Sequence, residues 1–247
     1  MPSRWFVPIH GLDPHRVRLE FVHGAFSGWF DRTTAEHTAG DKPYAVSPLT
    51  SFRGQVGVQI GLLDDVAHQR FSEVTGEPAS VRLGNQIREI GRPKLLRRAS
   101  WTELAREVTE RQWTLDLVTP TTFRSGNRSS PLPAVETIVS GLARSWQSWC
   151  DDPTLVPLPT SSGARALWIS DLDLTSERVE VTIKGRAVLF RGALGTITFR
   201  ADDAETARWA GPLLNYAAYA GVGSMRAKGL GVAELRGSRA DRARATA

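Results

Sequence analysis

Gln55-Val-Gly-Val-Gln-Ile-Gly-Leu-Leu63, followed at once by Asp64-Asp-Val-Ala-His-Gln-Arg-Phe-Ser-Glu-Val74, is the step in the chain that most constrains its fold. Val56, Val58 and Ile60 alternate with small or polar residues, the period-two pattern of a half-buried strand. Asp64 then stands where a carboxylate caps a helix, and Gly76-Glu77-Pro78 ends that helix soon after Val74. Upstream, Trp5 to Ile9 reads as a short strand. A turn at Gly11 to Pro14 follows, where Asp13 can cap a helix that begins with Pro14. Val22, Ala25, Phe26, Trp29 and Phe30 form the apolar stripe of that helix. A polar loop from Asp31 to Lys42 leads to a strand at Tyr44 to Leu49. Downstream, Val81 to Leu96 is strand-like with basic side chains interleaved. The first half reads β-α-β-β-α-β.

The second half repeats that order. A helical piece at Trp101 to Val108 precedes a strand at Trp113 to Val118 and a polar loop from Thr119 to Pro131. Val135, Ile138, Leu142, Trp146 and Trp149 mark an amphipathic helix. Two strands come next, one at Ala166 to Leu174 or Val179 to Ile183 and one at Ala187 to Phe199, with Gly185 turning the chain between them. Asp202-Asp203 opens a helix from Ala204 to Tyr219, Gly221 to Gly231 is glycine-rich, and Val232 to Leu235 is a last strand. The expected class is therefore α+β: two tandem ferredoxin-like (RRM-like) domains, each an antiparallel sheet with helices on one face. Residues 1–110 form the first, residues 111–236 the second, and residues 237–247 a basic disordered tail. The duplication rests on element order, since no sequence repeat accompanies it. Such a fold hosts many chemistries, so function must be argued from sites.

Composition narrows the choice. A chain of 247 residues with 41% apolar residues can bury a substantial core. The formal charge of +5 and a pI near 9.9 invite a polyanion. Most of that excess lies in the tail, where Arg236, Arg239, Arg242 and Arg244 face Asp241 alone, so the body is nearly balanced. The lone Cys150 excludes an intramolecular disulfide, and no Cys/His spacing matches a zinc site. The amino terminus lacks an apolar signal region and no apolar run nears the ~20 residues of a membrane span, so a soluble cytoplasmic protein with no membrane partner is expected. Ser47, Ser125 and Ser129 sit in no Gly-x-Ser-x-Gly elbow, which rejects a serine hydrolase. Asp171 and Asp173 lie two apart on a strand-and-turn segment, where carboxylates usually face solvent. No metal and no cofactor is expected.

Gly221-Val-Gly-Ser-Met-Arg-Ala-Lys-Gly-Leu-Gly231 joins two Gly-x-Gly pairs to two cations, Arg226 and Lys228. Closely spaced glycines let a backbone take positive φ and approach a ligand or another segment. Gly221, Gly223, Gly229 and Gly231 with Arg226 and Lys228 could thus hold phosphates, or the loop could be a helix C-cap and tight turn into the last strand. It matches neither a dinucleotide fingerprint, which needs glycine where Arg226 stands, nor a P-loop, since the order here is Lys228-Gly229-Leu230. Placed after a helix near the carboxyl end, the stretch from Ala218 to Glu234 resembles the signature loop of the RAMP superfamily, and most nearly that of the precursor-RNA-processing CRISPR endoribonucleases, the sixth Cas family. The early helix with Phe26 and Trp29, the strand Lys42-Pro-Tyr-Ala-Val-Ser-Pro-Leu49, and Thr119-Pro-Thr-Thr-Phe123 ahead of Leu142 to Trp149 agree in order. The resemblance implies tandem ferredoxin-like domains, binding of CRISPR repeat RNA, association with other Cas proteins in an effector complex, and metal-independent cleavage that leaves a 2′,3′-cyclic phosphate and a 5′-hydroxyl. A catalytically inactive RNA-binding subunit of the same superfamily is the alternative reading.

Cleavage by RNA's own 2′-hydroxyl needs a base, an acid and cationic stabilisation of the phosphorane-like charge, and histidine suits the proton transfers near neutrality. The resemblance places the functional histidine in the loop after the first helix with a lysine nearby, which here are His37 and Lys42. His37 is then general acid or base, and Lys42 stabilises charge. His23 is its rival, since the helix stripe sends Val22 and Phe26 inward and leaves His23 at the boundary. Where some relatives carry a tyrosine on this helix, Ser27 stands. His10, His15 and His68 read as surface or turn residues. For the RNA surface, Arg88 to Arg98 sets five cations, including Arg92, Lys94, Arg97 and Arg98, against Glu89. Lys184, Arg186 and Arg191 form a second cluster, Arg124 and Arg128 a third. Such cations track phosphates or, equally, keep an edge strand from aggregating.

Overall fold

The computed structural model describes residues 1–14, 17–76, 79–106, 108–126, 128–158, 166–183 and 186–236. His15, Lys184, Gly185 and the basic tail lie outside these residues. The first unit runs β1 (Ser3–Pro8), α1 (Leu19–Phe30), α2 (Thr34–Thr38), β2 (Tyr44–Val46), β3 (Thr50–Phe52), β4 (Gln55–Leu62), α3 (Asp65–Thr75), β5 (Ser80–Leu83), β6 (Gln86–Glu89) and β7 (Lys94–Arg98). After α4 (Trp101–Leu104), the second comprises β8 (Gln112–Thr121), β9 (Phe123–Ser125), β10 (Arg128–Ser130), α5 (Val135–Trp149), β11 (Leu167–Ile183), β12 (Arg186–Ala201), α6 (Ala204–Ala220) and β13 (Ala233–Arg236).

The sheets have the spatial orders β2-β4-β1-β7 and β11-β12-β8-β13, and every pairing within them is antiparallel. Each is the ferredoxin-like arrangement, with the first strand of the unit central beside its last. The decisive step holds. Val58, Ile60 and Leu62 of β4 are buried, and the Asp64 carboxylate accepts the Ala67 N–H at 2.7 Å to start α3. Asp203 caps α6 in the same way through Thr206 N–H, also at 2.7 Å. Val22, Phe26 and Phe30 of α1 and Phe71 of α3 cover one face of the first sheet. Leu142 and Trp146 of α5 meet Leu213 and Tyr216 of α6 over Leu115, Ile197 and Phe199 of the second.

Several local expectations are corrected. Helix α1 begins at Leu19, not after Pro14, and its N-cap Arg18 makes no side-chain cap. The strand expected from Tyr44 to Leu49 stops at Val46, ahead of Pro48, which has no N–H for a ladder, and resumes as β3. Val81 to Leu96 is not one strand. Gly84, at φ +63°, folds its first part into the β5–β6 hairpin, and β7 begins only after Pro93. The polar stretch from Thr119 to Pro131 holds the end of β8 and a second hairpin, β9–β10, with Gly126 at φ +58°. The alternatives near residues 166–183 are one 17-residue strand. Before Ala193 its partner β12 is not paired with β8, so this arm has little burial to impose an alternating pattern on its sequence.

The two units meet through backbone. Arg4 of β1 and Gly61 of β4 are register partners on the sheet face away from α1. A Cβ at Gly61 would collide with the Tyr219 carbonyl at the end of α6, so only glycine allows this approach. Arg4 is fully buried there. Its guanidinium donates to the carbonyls of Ala218 at 2.8 Å and Ala233 at 3.0 Å, and burial pulls its pKa down to about 10 despite the nearby Glu234. Nothing in the sequence reading singled out this residue. Among the described residues, no helix is long and apolar enough to cross a membrane.

Candidate functional site

The end of α1, helix α2 and the start of β2 converge on one carboxylate. Asp31 follows the last residue of α1, its N–H bonded to the Ser27 carbonyl at 2.8 Å, and its side chain is only 4% exposed. Oδ2 accepts three donors: Lys42 Nζ at 2.9 Å, the Tyr44 hydroxyl at 3.0 Å and His37 Nδ1 at 3.2 Å. Tyr44 stacks on Phe30 with ring centroids 4.4 Å apart, and burial, with Asp31 beside it, pushes its pKa far up, so it remains a donor.

Helix α2 is too short to hold its place by itself. Thr33 and Glu36 form a reciprocal capping box, and the Arg70 guanidinium of α3 grips the Glu36 carboxylate at 2.7 Å. That bond, helped by the cap, draws the Glu36 pKa down to about 2. Lys42 Nζ also donates to the Glu36 carbonyl, placing a cation at the negative end of the helix. His37 therefore stands on an anchored turn with its ring open to solvent, its side chain 59% exposed.

His23, from the middle of α1, faces the same space. Its ring stacks toward His37 with centroids 6.4 Å apart, and its Nδ1–H donates to the Ala227 carbonyl of the second unit at 2.9 Å. Burial lowers its pKa below the ordinary 6.5, and neighbouring Lys228 and His37 add to this. Lys228 completes the group. Its ammonium reaches the Thr182 carbonyl of β11 at 3.4 Å, and its pKa is lowered by burial and then by Lys42. Two ammonium groups that repel each other beside two imidazoles form a site suited to an anion.

The remaining residues divide. Ser27 is buried, with its hydroxyl turned onto the Gly24 carbonyl at 3.3 Å, so it does not reach the two rings. Lys42 is 13% exposed and committed to Asp31 and Glu36, whereas Lys228 is the cation whose charge acts on His23. Arg226 bridges the units: it donates to Asp41 at 2.7 Å, Ser145 at 3.2 Å and the Ala220 carbonyl at 3.1 Å. The glycines around it serve close packing. Gly221, Gly223, Gly229 and Gly231 all have positive φ, a Cβ at Gly231 would strike the Val222 carbonyl, and Ala227 packs into the first unit's core. The tight-turn reading thus accounts for the glycines, and the loop delivers Lys228 and the carbonyl that orients His23.

Arg124 and Arg128 lie on paired strands of the β9–β10 hairpin, which packs against β12 near exposed Arg191. Arg178, opposite Arg191 on β11, joins them and was not foreseen, because only pairing across the arm reveals it. Arg186 lies at the arm's tip, beyond Thr182. Arg92, Lys94, Arg97 and Arg98 are on or beside β7, the edge opposite β2, about 14 Å across the sheet at ordinary strand spacing. Lys94 there binds Gln55 Oε1, and Arg98 contacts Met1. His10 is exposed as expected, but His68 is half-buried in α3, held by the Asp64 carbonyl at 2.6 Å and the Ser3 hydroxyl at 2.7 Å. Among the described residues, no three His, Cys, Asp or Glu side chains gather as metal ligands, and Asp171 and Asp173 are exposed.

Residues 115–233 match the family model of the CRISPR-associated endoribonuclease Cas6. No curated protein matches the chain by sequence. Among solved structures, a Cas6 product complex (TTHA0078) superposes with a TM-score of 0.75 at 20% identity, covering 96% of this chain and 100% of that one. Thermus thermophilus Cas6 (TTHB231) gives 0.72 at 25% identity, covering 95% and 98%. A RAMP protein described as binding different RNA substrates gives 0.61 at 14%, covering 95% and 100%. The second half of the chain thus carries the sequence pattern of the CRISPR-associated endoribonuclease Cas6, and nearly its whole length has the fold of Cas6 proteins.

Proposed function

We propose that this chain binds CRISPR repeat RNA and cuts it at one phosphodiester by proton transfer between His23, His37 and the RNA, without a metal. The observation that carries the reading is the pair of imidazoles 6.4 Å apart, each held through Nδ1, beside Lys228. Holding Nδ1 leaves Nε2 of each ring as the atom that exchanges protons. His23, whose burial keeps it uncharged at neutral pH, removes the proton of the 2′-hydroxyl. The oxygen attacks phosphorus, and protonated His37 gives its Nε2 proton to the departing 5′-oxygen. The products are a 2′,3′-cyclic phosphate and a 5′-hydroxyl. Lys228 stabilises the charge that builds on the phosphoryl oxygens. Lys42, first read as that cation, instead holds Asp31 and α2. Arg124, Arg128, Arg186 and Arg191, with Arg178, carry the phosphates of the flanking repeat along the β9–β10 hairpin and the arm. Cas6 product complexes and the RNA-binding RAMP protein share this fold, which supports RNA as the ligand.

The test incubates the protein in EDTA with repeat RNA that is unmodified or 2′-deoxy at each position in turn. A single cut that survives EDTA and is lost at one 2′-deoxy position is expected. Dependence on added metal would overturn the chemistry, and tight binding without any cut would reassign the chain as an RNA-binding subunit.

The pH dependence has a defined sign. The base must be unprotonated, so kcat/KM rises with pH through the pKa of His23 in the free protein. Burial sets that value below 6.5, so the acid limb of the profile lies on the acid side of about 6.5. A rate profile that is already falling above pH 7 on its acid limb would remove His23 from the role of base.

A further inference from the structure

Asp31 occupies an expensive position. A carboxylate at the C-terminal end of a helix opposes the helix dipole. Here it is also almost wholly removed from water. Lys42 and Tyr44 offset that cost by donating to Oδ2, and they would be sufficient if the carboxylate only secured the loop. The third donor is of another kind. The His37 ring belongs to a five-residue helix and is mostly in solvent, so the bond at 3.2 Å adds little to the core while removing the ring's freedom to rotate and to exchange tautomers.

We propose that Asp31, held at the junction of α1, α2 and β2 by Lys42 and Tyr44, is the positioning residue for His37. By accepting from Nδ1 it keeps the ring in the Nδ1–H tautomer, turns Nε2 toward the scissile phosphate, and stabilises the positive charge that the ring carries before it protonates the 5′-oxygen. The proton travels from His37 Nε2 to the leaving oxygen, and the Nδ1 proton stays on the ring. Lys42 and Tyr44 act on the reaction only through this carboxylate. The inference rests on the cleavage reading given above.

The experiment compares wild type with Asp31→Asn and with the double variant Asp31→Asn/Lys42→Met, in which no cation is left facing a neutral amide. Two measurements are made on each. The first is the 15N spectrum of the histidine rings without RNA, with the His37 signals identified by their loss in His37→Ala. Wild type should show the Nδ1–H form of the neutral ring, and both Asp31 variants a mixture or the opposite tautomer. The second is single-turnover cleavage of repeat RNA. It should fall by about 10²- to 10⁴-fold in both variants, the size of one general-acid contribution, with RNA affinity retained.

An unchanged His37 tautomer in folded Asp31 variants would overturn the assignment, as would cleavage at the wild-type rate. So would a rate loss in Asp31→Asn that the double variant restores, because Asp31 would then only be neutralising Lys42. If wild type cuts no repeat RNA, the cleavage reading fails and this inference fails with it. If wild type cuts and the Asp31 variants keep both tautomer and rate, only the inference fails.

Discussion

His37→Ala lowers the rate of single-turnover cleavage of repeat RNA by about 10²- to 10⁴-fold, the range contributed by one positioned proton donor. Repeat RNA should still bind with its wild-type affinity. The ring is mostly in solvent on a helix anchored elsewhere, by the Thr33–Glu36 box and Arg70, so truncating it creates no cavity in the core. Folding stability should change little, by about 0.5 kcal/mol, because the ring is mostly in solvent and Lys42 and Tyr44 still donate to Asp31. His23→Ala is the informative comparison. His23 is half-buried and ties α1 to the Ala227 carbonyl, so its loss should lower both cleavage and the cohesion of the two units. Added imidazole should restore part of the rate to His37→Ala. Cutting that persists undiminished in His37→Ala would transfer the acid's role to another group, and a loss of binding equal to the loss of rate would make His37 a ground-state contact.

Arg4→Ala is expected to destabilise the folded chain by about 3–5 kcal/mol, the cost of breaking a buried charged group away from its partners. Arg4 makes no contact with the two histidines, yet it satisfies the Ala218 carbonyl in the last turn of α6 and the Ala233 carbonyl of β13. Neither acceptor has water within reach once the units are packed, and each orphaned group costs roughly 1–3 kcal/mol. The guanidinium's own desolvation, visible in its lowered pKa, is relieved by the substitution and keeps the total below the simple sum. Denaturant unfolding gives the measurement. An unchanged midpoint would mean that water enters the interface and takes over both carbonyls. Because the glycine-rich loop hangs between α6 and β13, cleavage in the folded fraction should weaken as well, through displaced Lys228 and Ala227.

The sequence alone determined both ferredoxin-like units, because each strand-to-helix step is local: alternating residues bury one face, and Asp64 or Asp203 caps the helix beside it. It also placed His37, His23, Lys42 and Lys228 among the residues of interest. It misread the β5–β6 and β9–β10 hairpins, where a single glycine of positive φ turns the chain within a few residues. Which of the chosen residues meet was beyond it. Lys228 and His23 are far apart in the chain and come together only when the glycine-rich loop seats Ala227 in the core of the first unit. Arg226, read as a phosphate contact, became a strut because Asp41, Ser145 and the Ala220 carbonyl all lie within its reach. Asp31 and Arg4 were invisible for a common reason. One looks like a polar residue after a helix and the other like a surface cation on a strand, and only the tertiary structure removes both from water and supplies the partners that decide what each can do.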